Sequence, residues 1–163
     1  MIMKAILLMG VTVFFLQACN THTPNDQTAR LQAQVDSLRQ ELKKSYVPGT
    51  GELMSNIQLH HTKLWFAGSN GSWPLAEYQE SLIRSGFKKI QLYHSQKPEA
   101  QLVAMIAPAM DSVEEAIHAK DKASFIRQYQ FMTSSCNSCH QATKHPFNVI
   151  KIPKLPPIDD QEY

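Results

Sequence analysis

Apolar residues recur along this chain at helical intervals, and no segment shows the two-residue alternation of a strand. Leu31, Val35, Leu38 and Leu42 follow at spacings of four, three and four. That is the a/d pattern of a coiled coil, and it predicts a short heptad helix over residues 27–46. Pro48-Gly49-Thr50-Gly51 ends it and marks a domain boundary. Met54, Ile57, His61 and Leu64 then form a stripe that predicts a helix over about 52–67, closed by Gly68-Ser69-Asn70-Gly71-Ser72. Trp73-Pro74 opens the next helix, with proline suited to its first turn. Its apolar positions are Leu75, Tyr78, Leu82, Ile83, Gly86, Ile90 and Tyr93.

A further helix from Pro98 to about residue 119 turns Leu102, Ile106, Ala109, Val113 and Ile117 inward. Pro108 in its middle removes a backbone donor and predicts a kink. Asp121 is a fitting N-cap for the last helix. Along that helix Phe125, Tyr129, Met132, Cys136 and Cys139 fall at spacings of four, three, four and three. Residues 144–163 carry four prolines and read as an extended tail, laid over the surface or partly disordered. The expected fold is all-α. It is an antiparallel four-helix bundle over 52–143, preceded by the short coiled-coil-like helix.

The end of the last stripe changes the picture. Residues 136–140 read Cys-Asn-Ser-Cys-His, the signature of covalent haem attachment. Two thiols three residues apart share one helical face, so both can add to the vinyl groups of one haem. His140 follows Cys136 by four and can reach the iron as proximal axial ligand. A zinc site would need a second ligand pair at matching spacing, and none is present. A redox dithiol would sit at the start of a helix after a strand, not at the end of a helical stretch. One haem c, held by Cys136 and Cys139, is the expected cofactor.

The third cysteine has a different setting. Lys4 precedes an apolar run from Ala5 to Leu16, too short to span a bilayer comfortably and fitting a signal-peptide core. Leu16-Gln17-Ala18-Cys19 resembles the lipobox of bacterial lipoproteins. The resemblance implies cleavage after residue 18 and lipidation of Cys19, with residues 19–51 as anchored spacer and heptad helix. Several acyl chains would hold the protein firmly to a membrane. Haem attachment of this kind takes place outside the cytoplasmic membrane, so the two signals agree on the periplasmic side. Asn20 is not the Asp linked with inner-membrane retention, which favours the outer membrane.

Charge adds mainly exclusions. Sixteen Lys and Arg against fourteen Asp and Glu give +2, with no basic patch to suit nucleic acid. Loss of Lys4 takes the charge to +1. No second metal or nucleophile constellation points to an enzyme.

A four-helix domain with Cys136–His140 near the end of its last helix resembles the cytochrome c-prime type. The resemblance implies a distal haem face covered by the first bundle helix, with methionine there in low-spin relatives and an apolar residue in gas-binding ones. His61 is the preferred candidate distal ligand, because a polar residue on an inward stripe needs a reason to be there. Met54 is the alternative. Lys63, Arg84, Arg127 and Lys144 are candidate partners for the haem propionates.

Three functions are open to such a chain. The first is a lipid-anchored monohaem cytochrome passing electrons to a redox partner in the periplasm or membrane. The second is a five-coordinate haem protein binding nitric oxide or carbon monoxide. The third is a structural lipoprotein whose heptad segment recruits a partner or a second copy. If residues 27–46 drive self-association, deleting them should lower the number of chains per particle seen by sedimentation; an unchanged number removes that role.

Overall fold

A computed structural model of the chain describes residues 24–158 and 160–163. The expected signal segment and Cys19 lie outside the described residues. The chain divides into two units between Tyr46 and Val47, a few residues before the boundary expected at residue 51. In the first unit, helix α1 (Pro24–Lys44) carries the heptad stripe. Leu31, Val35, Leu38 and Leu42 are all exposed. Arg30 pairs with Asp26 at 3.5 Å and Arg39 with Asp36 at 3.2 Å, exposed contacts of a few tenths of a kcal/mol at most.

The second unit is helical, with no strand among the described residues. It contains α2 (Thr50–Asn70), α3 (Trp73–Tyr93), α4 (Pro98–Leu102), a 3₁₀ turn (Val103–Ile106), α5 (Ala107–His118) and α6 (Lys122–Ala142). Helix α2 runs through Gly68 and stops at Gly71, where φ is 80°. Gly71 N–H bonds to Gly68 O and Ser72 N–H to Ala67 O, at 3.2 and 2.9 Å. That left-handed position favours glycine, and the paired bonds satisfy carbonyls that the helix end would otherwise orphan. The tight link turns α3 back along α2. A second short link, residues 119–121, turns α6 back along α5. Asp121 caps α6 as its position predicts, its side chain accepting from Ser124 N–H at 3.0 Å. Helix α3 packs on α5 and helix α2 on α6.

The core follows the stripes of α2, α5 and α6 closely. Leu64, Val113, Phe125 and Tyr129 are wholly buried, and Ile83, Met110 and Met132 nearly so. Helix α3 departs from the expected face by about one residue. It buries Ala76, Gln79, Glu80, Ile83, Phe87 and Ile90, while Tyr78 is exposed. Two polar residues are thus inside, and each has its compensation. Gln79 Oε1 lies 2.8 Å from His60 Nδ1. Glu80 pairs with Arg84, which also donates to Asp111 at 2.9 Å and Glu114 at 3.0 Å, tying α3 to α5. Desolvation raises the Glu80 pKa despite the attached guanidinium.

Pro108 acts otherwise than as a mid-helix kink. The helix is interrupted upstream, at Val103–Ile106, and Pro108 sits in the first turn of α5. Proline cannot donate to the Ala104 carbonyl, so Ala107 N–H takes it in a 3₁₀ bond. The tail is also more ordered than its prolines suggest. Asn137 bonds the main chain of Ile150, Ile152 packs on the core, and the Tyr163 ring lies 5.6 Å from that of Phe66.

Gly68 of α2 packs directly against Phe125 of α6. A Cβ there would overlap the fully buried Phe125 ring. Gly68→Ala should cost about 1–3 kcal/mol, since the ring has no space to yield. Thermal unfolding checks this; a variant as stable as the parent would show that the contact is loose.

Candidate functional site

Helix α6 begins with core aromatics and ends with the motif. Phe125, Tyr129 and Met132 fix one face against the other helices, and the same face continues into Cys136 and Cys139. At that end of the second unit lies a cavity of about 350 Å³, within the range of small-molecule sites. Cys136, Cys139 and His140 line it together. Opposite them stand Met54, Ile57 and His61 of α2, with Phe87 of α3 and Ile106 of the 3₁₀ turn. Its rim is polar, with Thr50, Lys97 and Glu99, and the tail closes it through His145, Asn148 and Ile150.

Both thiols are free of disulfide. Burial pushes the Cys136 thiol up to about 12, and the neighbouring Cys139 adds to this. Cys139 moves the same way, through burial and then the Glu99 carboxylate. A redox-active dithiol needs the opposite, a thiolate stabilised by positive surroundings. Among the described residues, no three His, Cys, Asp or Glu side chains gather as a metal-ion cluster.

His140 is oriented by the tail. Its Nδ1 lies 2.6 Å from the Asn148 main-chain oxygen, an atom that can only accept. In the neutral ring Nδ1 therefore carries the proton, and Nε2 keeps its lone pair for a ligand. This is the arrangement that metal-binding imidazoles use to fix tautomer and ring orientation.

His61 is buried in a closed network. Thr133 Oγ1 donates to Tyr129 O at 2.9 Å, so it must accept from His61 Nε2–H, also at 2.9 Å. Tyr129 O–H donates to His61 O at 2.7 Å and also lies 2.8 Å from the other ring nitrogen, so its one proton is shared between the two acceptors. Both ring nitrogens are occupied. Desolvation lowers the His61 pKa to about 4, so the ring is neutral. Met54, two helical turns away and half-buried, lines the cavity with no such bond to surrender.

Of the cations picked out as propionate partners, Arg84 is held by three carboxylates on α3 and α5, and Lys63, Arg127 and Lys144 do not line the cavity. The cation that does is Lys97, whose Nζ donates to Thr50 Oγ1 at 3.1 Å. Its place near the start of α4 gave no sequence signal. Glu99 and the Asn148 carbonyl also escaped sequence reading; one Glu99 carboxylate oxygen is buried without a partner among the described residues. The arrangement can bind a ligand through two S–C bonds and a metal through one imidazole, against an apolar wall with a thioether in it. Comparison with protein-family models, curated proteins and solved structures finds no match.

Since His61 is depressed below its ordinary 6.5, the unfolded chain binds a proton as pH falls past 6.5 and the folded one only near 4. The stability at stake is present above pH 6.5 and is lost on acidification towards pH 4. It amounts to about 3 kcal/mol at most. Denaturant unfolding of the parent and of His61→Gln at several pH values measures it. The parent should lose more between pH 7 and pH 4; equal slopes would mean that His61 titrates alike in the folded and unfolded chains.

Proposed function

We propose that this chain is a monohaem c-type cytochrome, anchored by lipid at Cys19 on the periplasmic side of a bacterial membrane and passing single electrons to a protein partner. The observation that carries the reading is the lining of one cavity by Cys136, Cys139 and His140, with His140 Nδ1 held by a main-chain carbonyl. Bound haem would supply a one-electron iron couple. The residues suit it: two reduced thiols for the thioether links, an imidazole with Nε2 available, and apolar walls at Ile57, Phe87 and Ile106. Lys97 on the rim suits a propionate carboxylate.

The order of α2, α3, α4–α5 and α6 supports the antiparallel four-helix bundle of the cytochrome c-prime type. Membrane attachment rests on the lipobox alone, since no described helix is long and apolar enough to cross a bilayer.

For the second axial ligand we favour Met54 over His61. Helices α2 and α6 run antiparallel, with His61 beside Tyr129 and Thr133. Seven residues earlier along α2, about 10 Å away, Met54 comes level with the end of α6 that holds Cys139 and His140. Ligation by His61 would break its buried hydrogen bond to Thr133 or to Tyr129, at about 1 kcal/mol. Thioether ligation has no such cost, and it would give a higher potential than two imidazoles. The same apolar wall would suit a gas ligand if Met54 stayed off the iron.

Optical spectra of the haem-loaded protein separate these readings. The parent should be low-spin and indifferent to carbon monoxide. Met54→Leu should become high-spin and bind it, while His61→Gln stays low-spin. A high-spin parent would favour gas binding, and loss of the low-spin form only in His61→Gln would restore His61 as the ligand.

A further inference from the structure

We propose that Asn137, inside the Cys136–His140 motif, is a positioning residue for the axial imidazole and acts through the C-terminal tail; this rests on the haem reading above. Asn137 lies three residues before His140, on the same side of α6. Its side-chain amide grips the main chain of one tail residue at two points. Nδ2 donates to Ile150 O at 2.9 Å, and Ile150 N–H donates to Oδ1 at 2.8 Å. Two residues earlier in the tail is Asn148, whose carbonyl accepts from His140 Nδ1 at 2.6 Å.

The segment between helix and clamp is short and closed on itself. His145 N–H bonds to His140 O at 2.7 Å, and Asn148 N–H to His145 O at 3.0 Å. Those bonds turn the chain but do not tie Ile150 to α6. The far end carries exposed Phe147 and Val149, and the Phe147 ring lies 5.8 Å from that of His145 in the same segment. Asn137 supplies the missing attachment. The motif thus holds its own ligand in orientation: one of its two variable residues pins the strap whose carbonyl fixes the imidazole.

The chemical consequence falls on the donor strength of His140. A hydrogen bond from Nδ1–H to a carbonyl pushes electron density towards Nε2 and favours the oxidised metal. With the strap released, water replaces the carbonyl, the ring orientation is no longer fixed, and the imidazole donates less.

The test uses the haem-loaded full chain and its Asn137→Ala and Asn137→Asp variants. Asn137→Asp keeps the acceptor for Ile150 N–H and loses the donor. Redox titration gives the potential, and proton NMR of the reduced protein gives the exchange of the His140 Nδ1–H with solvent. In the parent that proton should exchange slowly. Asn137→Ala should raise the potential and speed the exchange by about tenfold or more, the equivalent of one net hydrogen bond. Asn137→Asp should lie between. A variant with bound haem, parental potential and parental exchange overturns the inference and leaves the haem reading intact. Should Asn137→Ala fail to mature, Asn137→Asp decides by the same two readouts. A parent chain that acquires no haem overturns both.

Discussion

The hydroxyl of Tyr129 fixes how α6 lies against α2, and the site depends on that register. It reaches both the ring and the main chain of His61, and Thr133 one turn later takes the other ring nitrogen. The tyrosine ring is fully buried, its centroid 4.5 Å from that of His61 and 5.0 Å from that of Trp65 in tilted contacts. A slip by one turn would strand several polar atoms in a dry interior, each at a cost that competes with the stability of a small domain. With the register set, Met54 comes to face the end of α6, and the two cysteines and His140 open into the same space. A histidine on an inward stripe invites reading as a ligand. Its bonds to Tyr129 and Thr133 also make it a peg between the two helices.

The helices were legible in the sequence because their apolar positions repeat and their ends carry local signals. Asp121 before the last helix and Trp73-Pro74 at the second are such signals, and they act within a few residues. The core stripe of α6 was legible for the same reason, down to Cys139. The inward face of α3 was not, because Gln79 and Glu80 are polar and their partners, His60, Arg84, Asp111 and Glu114, include residues far along the chain. Pro108 was visible as a breaker, but only the neighbouring 3₁₀ turn shows that the chain accommodates it at a helix start. The three motif residues could be named from spacing alone. The reason for His61 could not, since its partners lie 68 and 72 positions away.

The tail shows a different limit of sequence reading. Its prolines exclude helix and make an extended path plain, yet they do not say whether that path is held. Asn137 holds it, through an amide that looks like filler between two cysteines. Ile152 and Tyr163 add apolar contacts further along. A segment without regular structure can thus be a working part of a site when a few main-chain atoms are captured by side chains. The rim follows the same logic, with Lys97 brought to the cavity by the start of α4.

All of this converges on two sulfur atoms and one imidazole sharing a space of ligand size. The most direct measurement is the mass of the intact protein, purified from cells able to attach haem, followed by peptide mapping of residues 136–140. The account predicts an added mass of one haem, borne on a peptide in which both Cys136 and Cys139 are thioether-linked. A colourless protein of unmodified mass, with both thiols open to alkylation once unfolded, would contradict it.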